Sequence, residues 1–277
     1  MSPVPPPVRK HLGQHFLVDP NIVRKIVEVA GPRPEETVLE IGPGRGALTR
    51  LLCERAARVV GVEIDRQLCA YLRDTLGDCA NLDLQEGDAL SWPLESLPSN
   101  TVVVGNLPYY ASTPILFRLI EFRSRWSRAV IMLQTEVAQR LVARPGSKAY
   151  GVLSVLTQYA TESRVAFHVS AQCFRPRPDV GSSVVLCTMR PLSLRQEEEQ
   201  ILVRLVRGAF AHRRKRLVNS LRDEGWSGAL IEQVLDALSL QADCRAEDLS
   251  LDEFVAFARR VTPLVAATEP SPDRPTT

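Results

Sequence analysis

Within four residues, Asn106, Leu107, Pro108 and Tyr109 bring together a side-chain amide, a backbone carbonyl followed by proline, and an aromatic ring. The amide oxygen and the carbonyl are hydrogen-bond acceptors, the proline stiffens the turn, and the ring offers a π face. Such a set can accept two N–H bonds from a planar group and stack it. The first three close a short, apolar, β-rich run from Thr101 to Pro108 and Tyr109 follows it, so the set belongs at the end of a strand.

A second constellation lies upstream. Leu39 to Thr49, LEIGPGRGALT, reads as a strand, a glycine-rich turn and a helix. Gly42, Gly44 and Gly46 permit positive φ and close backbone approach, and the helix N-terminus offers unpaired N–H groups. The spacing fits the dinucleotide fingerprint, so the loop alone does not separate a nicotinamide enzyme from a methyltransferase. Glu63, at the end of the next strand, can accept hydrogen bonds from ribose hydroxyls, which both cofactors carry. Asp88, in Gly-Asp-Ala after the third strand, can accept one from an adenine amine. Solvated turn acids and a ligand-free turn are the competing readings, and the fixed order of glycine turn, acid and acid weighs against them.

Asn-Leu-Pro-Tyr after a strand resembles the (N/D)PP(Y/F/W)-type motif of amino-methyltransferases that act on adenine N6, cytosine N4 or glutamine. An exocyclic amine delocalises its lone pair into the ring and is a poor nucleophile until acceptors hold its N–H groups around a more pyramidal nitrogen. By this resemblance Asn106 and the Leu107 carbonyl supply the acceptors. Tyr109 carries the base, a task for its ring and not its hydroxyl. No strong base is needed, because the methylated amine is cationic and sheds its proton readily; catalysis is mainly positioning.

These residues need a sheet to hold them. Asn21 to Gly31 has helical apolar spacing and a glycine stop. The runs starting at Thr37, Val59, Leu82, Thr101 and Ala129 read as strands, separated by helical segments such as RQLCAYLRDTL and TPILFRLIEF. That alternation predicts an α/β fold, a Rossmann-like, doubly wound parallel sheet. Beyond Met189 the chain reads as helices alone, a small all-helical C-terminal domain. The expected organisation is a catalytic domain over 1–189, a helical domain over 190–265, and a disordered tail rich in Pro, Ser and Thr over 266–277.

From Leu12 to about Arg260 the motifs together resemble the ribosomal RNA adenine N6-dimethyltransferase family. LGQHFLVD is similar to that family's L-G-Q-N-F-L-x-D, whose Asn and Leu positions border the cofactor; here they are His15 and Leu17. His15 replaces the Asn, and an imidazole can also donate or accept. SKAYGVLS (Ser147 to Ser154) and FRPRPDVGSSVV (Phe174 to Val185) resemble S-K-A-Y-G-x-L-S and F-x-P-x-P-x-V-x-S. The resemblance implies that Phe174 packs on the target adenine opposite Tyr109, though a core role is the simpler use of such a residue. It also implies that Gly42, Gly44, Glu63, Asp88 and Asn106 bind S-adenosyl-L-methionine. The substrate it implies is two adjacent adenosines near the 3′ end of small-subunit (16S) ribosomal RNA, in the assembling small ribosomal subunit.

Charge distribution supports an RNA partner. The net charge is only +2, yet Arg204 to Arg222 holds seven basic and no acidic residues. Its centre, Arg213, Arg214, Lys215 and Arg216, is the expected RNA-backbone contact. The six cysteines and four histidines show no metal-ligand spacing or disulfide framework. No metal, no membrane span, a cytoplasmic location and a monomer are the expectations. Four alternatives stay open: a large-subunit ribosomal RNA adenine methyltransferase conferring antibiotic resistance, a mitochondrial transcription-factor relative, a nicotinamide oxidoreductase, and a non-catalytic assembly factor. The Lys148, Arg175 and Arg213 segments favour the small-subunit enzymes over the first, the absence of a transit pattern counts against the second, and the oxidoreductase leaves Asn-Leu-Pro-Tyr unexplained.

Overall fold

In the structure, a computed structural model, residues 3–9 and 12–268 are described. The short strand β1 (Phe16–Leu17) leads into helix α1 (Pro20–Ala30). Asp19 caps this helix by accepting from the Asn21 and Ile22 amides, Pro20 opens it, and Gly31 ends it in the left-handed region at φ 50°. Arg128 then ties the end of α1 to the sheet. Its guanidinium donates to the carbonyls of Ala30 and Gly31, each at 2.7 Å, and pairs with Glu36 at 2.8 Å. That bond to Arg128, with help from Arg33, holds the Glu36 carboxyl down at about 2.

The main sheet combines β2 (Thr37–Ile41), β3 (Arg58–Glu63), β4 (Leu82–Glu86), β5 (Thr101–Asn106), β6 (Trp126–Gln134), β7 (Thr161–Val169) and β9 (Ser182–Met189), in the order β4-β3-β2-β5-β6-β9-β7. From β4 to β6 every pairing is parallel. A wholly parallel sheet is the expectation, and here the structure differs: β9 runs antiparallel to both β6 and β7. The segment joining β7 to β9 carries no crossover helix, only a 3-10 turn and the two-residue strand β8 (Phe174–Arg175), so the two pair as antiparallel neighbours. The β7 sequence TESRVAFHV is half polar and escapes an apolar-run reading.

Helices α2 (Thr49–Cys53), α3 (Arg66–Thr75), α4 (Ser112–Glu121) and α5 (Thr135–Leu141) follow β2, β3, β5 and β6. Along β2, Val38 and Leu39 point to opposite faces, and both are fully buried. One face, with Val38, Val59, Val102 and Val130, joins α1 and α2 in a single apolar cluster. Burial on both faces explains why these strands read as unbroken Val/Ile/Leu runs. The helix after the glycine turn starts only at Thr49, shorter than its sequence suggests.

Of the described residues, those up to Val142, with Ala160–Arg190, form one compact unit, and Ala143–Tyr159, with those from Pro191 on, form another. The stretch from Ala143 to Tyr159 reads in sequence as part of the catalytic domain, yet it groups with the helices. Its Tyr150 ring meets Phe210 edge-on at 5.9 Å, and Gly146 donates to the Glu247 carbonyl at 2.7 Å. The rest of this unit is α6 (Val152–Ala160), most of which it includes, with α7 (Gln196–Ala211), α8 (Leu217–Asp223), α9 (Gly228–Ala237) and α10 (Leu251–Thr268). Residues 266–268 of the expected tail continue α10, and 269–277 lie outside the described residues.

Candidate active site

The chain moves outward from β2 to β3 and β4, then returns to the other side of β2 for β5 and β6. The reversal between β2 and β5 is a topological switch point, where open α/β sheets bind ligands beyond the strands' carboxyl ends. Ile41 pairs with both Val62 and Gly105, so the glycine turn, Glu63 and Asn106 emerge side by side. Between them opens a cavity. Its lining includes His15, Leu17, Gly42, Gly44, Glu63, Asp88, Asn106, Leu107, Pro108 and Tyr109, all of the cofactor candidates and four of the five catalytic ones.

Phe174 is the exception. Its partner across the small antiparallel pair of β1 and β8 is Leu17, its side chain is 1% exposed, and it lies in the apolar cluster under the sheet. It does not line the cavity. The expected stacking role is therefore not what this structure places there; the strand pairing turns the ring inward, where burial of its apolar surface is favoured.

The glycine turn is built by necessity. Gly44 and Gly46 have φ of 62° and 81°, and a Cβ on Gly46 would stand 2.9 Å from the Leu72 side chain. Glu63 organises this turn from β3: Oε2 accepts the Gly44 N–H and Oε1 the Asp65 N–H, each at 2.9 Å. Burial raises the Glu63 pKa and these backbone donors oppose the rise. Each carboxylate oxygen keeps a further lone pair for a ligand hydroxyl. Asp88 is exposed at the cavity edge, where Oδ1 accepts the Leu90 N–H at 2.9 Å.

At the end of β5, the Asn106 Nδ2 donates to the His15 carbonyl at 3.0 Å. A carbonyl only accepts, so this bond fixes the amide and leaves Asn106 Oδ1 as the acceptor. The His15 ring in turn donates from Nδ1 to the Pro176 carbonyl at 2.9 Å, which sets the protonated nitrogen by the same logic. It lies stacked on the Tyr109 ring, centroids 5.4 Å apart and planes at 28°. The Tyr109 hydroxyl, idle in the sequence reading, meets Ser182 Oγ at 3.1 Å.

Motif reading missed several lining residues. Glu40 is 1% exposed with no partner for Oε2, and burial pushes its pKa up to about 8. An acid inside the apolar strand TVLEI was the available signal. Tyr110 is 58% exposed, and a Cβ on Gly13 would stand 3.4 Å from its ring. Gln14 donates to Asp65 at 2.9 Å, and Arg9 pairs with the same carboxylate at 3.3 Å. These contacts join remote segments and have no local signature.

The sequence model of the ribosomal RNA adenine dimethylase family matches residues 7–261. The chain belongs to this family. It is 43% identical over 264 residues to the ribosomal RNA small subunit methyltransferase A of Moorella thermoacetica, covering 91% of each chain. The protein of the same name from Aromatoleum aromaticum is 44% identical over 263 residues, covering 95% of this chain and 96% of that one. Among solved structures, a dimethyladenosine transferase from Plasmodium falciparum is similar with a TM-score of 0.77 and 25% identity, over 90% of this chain and 98% of that one. The 23S rRNA methyltransferase ErmE is similar with a TM-score of 0.70 and 26% identity, over 88% and 98%.

For this member of the adenine dimethylase family, the basic run in the helical unit divides into two kinds of residue. All four are exposed. Arg213 is engaged within its own unit, donating to the carbonyls of Lys148 and Tyr150 at 2.9 and 3.1 Å and facing Glu247 at 3.4 Å. Lys215 pairs with Asp223, whose carboxyl it holds below the usual range. Among the described residues, no helix is long and apolar enough to cross a membrane, and no cluster of potential ligands that could hold a metal ion is present.

Proposed function

We propose that the chain transfers methyl groups from S-adenosyl-L-methionine to N6 of two adjacent adenosines near the 3′ end of small-subunit ribosomal RNA, during assembly of that subunit. One observation carries this reading: the fixed amide of Asn106 and the ring of Tyr109 line the same cavity as the glycine turn and Glu63. The lining suits this cofactor: a glycine turn that lets the backbone approach closely, a buried carboxylate that can accept from ribose hydroxyls, and Asp88 at the edge.

S-adenosyl-L-methionine, when bound, supplies an electrophilic sulfonium methyl. The chain's own residues then do the rest by placement. Asn106 Oδ1 and the Leu107 carbonyl accept the two N–H bonds of the adenine amine and localise its lone pair. Tyr109 carries the ring, so the nitrogen approaches in line. The proton lost after each transfer goes to water, and rotation about the bond to the ring presents the same nitrogen for the second transfer. The helical unit holds the RNA backbone, and the protein works as a cytoplasmic monomer.

Mass spectrometry of adenines after reaction of the purified protein with small- and large-subunit RNA tests this. Dimethyladenine at two adjacent small-subunit positions is the expected result. Product in large-subunit RNA alone, or none, would overturn the reading.

A further inference from the structure

The segment from Phe174 to Val185 carries two adjacent serines with different partners. Ser183 Oγ, fully buried, meets His168 Nδ1 at 2.8 Å and Thr135 Oγ1 at 3.0 Å, a bond set internal to the sheet edge. Ser182 is 1% exposed on the same strand, and its hydroxyl meets the phenolic oxygen of Tyr109 at 3.1 Å. A buried hydroxyl keeps such a partner because losing it leaves a polar atom unsatisfied.

Tyr109 needs that partner for a mechanical reason. It stands in the turn after β5, outside any helix or strand, so no regular backbone restrains its ring. The ring is instead held at its tip by Ser182 and over one face by His15. His15 is itself anchored, through Nδ1 to the Pro176 carbonyl and through its own carbonyl to the Asn106 amide. Ser182, Tyr109, His15 and Asn106 thus form one continuous chain, from the stacking surface to the acceptor that grips the amine.

Resting on the proposed activity, we propose that Ser182 is a positioning residue for methyl transfer. Its buried hydroxyl at the tip of Tyr109, together with the His15 ring stacked on the same tyrosine, fixes the plane on which the target adenine is received. The hydroxyl of Tyr109 then matters only through Ser182. Misorientation of a bound base costs rate far more than it costs cofactor affinity, because small displacements remove a near-attack geometry.

The test is single-turnover methylation of small-subunit RNA by Ser182→Ala, Tyr109→Phe and the double variant, with cofactor affinity measured in parallel by calorimetry. Each single change removes the same bond from one end. Each is expected to slow methyl transfer on the order of 10-fold, well within what misplacement costs, while cofactor affinity stays at the wild-type value. The double variant is expected to be no slower than the slower single, because there is only one bond to lose. Wild-type rates in Tyr109→Phe, or losses that multiply in the double variant, would overturn the proposal. Should Ser182→Ala fail to fold, Tyr109→Phe and His15→Ala carry the test, and a faster His15→Ala would overturn it by placing the imidazole in the seat of the base. A wild-type protein that leaves small-subunit adenines unmethylated overturns the functional reading as well, whereas an active wild type with unaltered variants overturns the clamp alone.

Discussion

Glu63 Oε2 accepts the backbone N–H of Gly44 at 2.9 Å, so the acid at the end of β3 also holds the glycine turn in shape. Its other oxygen accepts from Asp65 at the same distance. Both carboxylate oxygens therefore face backbone donors.

Glu63→Ala is expected to weaken S-adenosyl-L-methionine binding greatly, since it removes the ribose acceptor and loosens the turn together. Glu63→Gln is expected to do almost the same damage, because its NH₂ must oppose one of the two N–H groups. For Glu63→Ala, two lost charge-assisted bonds to the ribose hydroxyls, each worth roughly 1.5–3 kcal/mol, correspond to a loss of 100-fold or more. Calorimetry on folded variants checks it, and wild-type affinity in Glu63→Gln would show that the two N–H bonds do not matter.

Asn106→Ala is expected to slow methyl transfer by about 100-fold to 1,000-fold while the cofactor remains largely bound, as for the loss of one preorganised hydrogen-bonding group at a reacting centre. Asn106→Asp separates acceptor from donor. It keeps an oxygen toward the substrate but sets another against the His15 carbonyl, which in the wild type accepts a hydrogen bond from Nδ2. A comparable loss is expected, and a fully active Asn106→Asp would show that the bond to His15 does not set the geometry.

Glu40 makes stability depend on pH in a direction opposite to most acids. Burial pushes its folded pKa up to about 8 from an ordinary value of 4.5. The folded protein then binds the more protons between those values, so this group's contribution is fully present below pH 4.5 and is lost as pH rises through 8. Glu40→Gln keeps the shape without the charge. Its melting temperature is expected to match wild type near pH 5 and to exceed it above pH 8; identical pH profiles would mean that the Glu40 carboxyl titrates normally.

The basic run should respond unevenly to mutation. Replacing Arg214 and Arg216 by Gln is expected to lower RNA affinity and to flatten its dependence on log salt by about 0.7 to 0.9 for each phosphate that is no longer neutralised. Arg213→Gln is expected to act chiefly on stability, because it strands the Lys148 and Tyr150 carbonyls. Salt titrations beside thermal melts distinguish the two, and an unchanged slope for the Arg214 and Arg216 pair would make that surface a solvated turn between α7 and α8.

What could be read from the amino-acid order alone is what lies within one strand, turn and helix. The glycines that need positive φ, the capped helix from Pro20, the apolar runs of the parallel strands and Asn-Leu-Pro-Tyr at a strand end are all local patterns. Spacing sets them, because neighbouring residues share a backbone. Sheet order then decided the rest. The Asn106–His15 bond spans 91 residues and the Tyr109–Ser182 bond 73, and neither leaves a trace in local sequence. Pairing of β8 with β1 put Phe174 into the core, and pairing of β9 with β6 carried Ser182 to the turn after β5. Docking of Tyr150 against Phe210 drew Ala143–Tyr159 into the helical unit. Which apolar residue becomes core and which lines a cavity depends on the partner that covers it, and that partner is chosen only when distant elements meet.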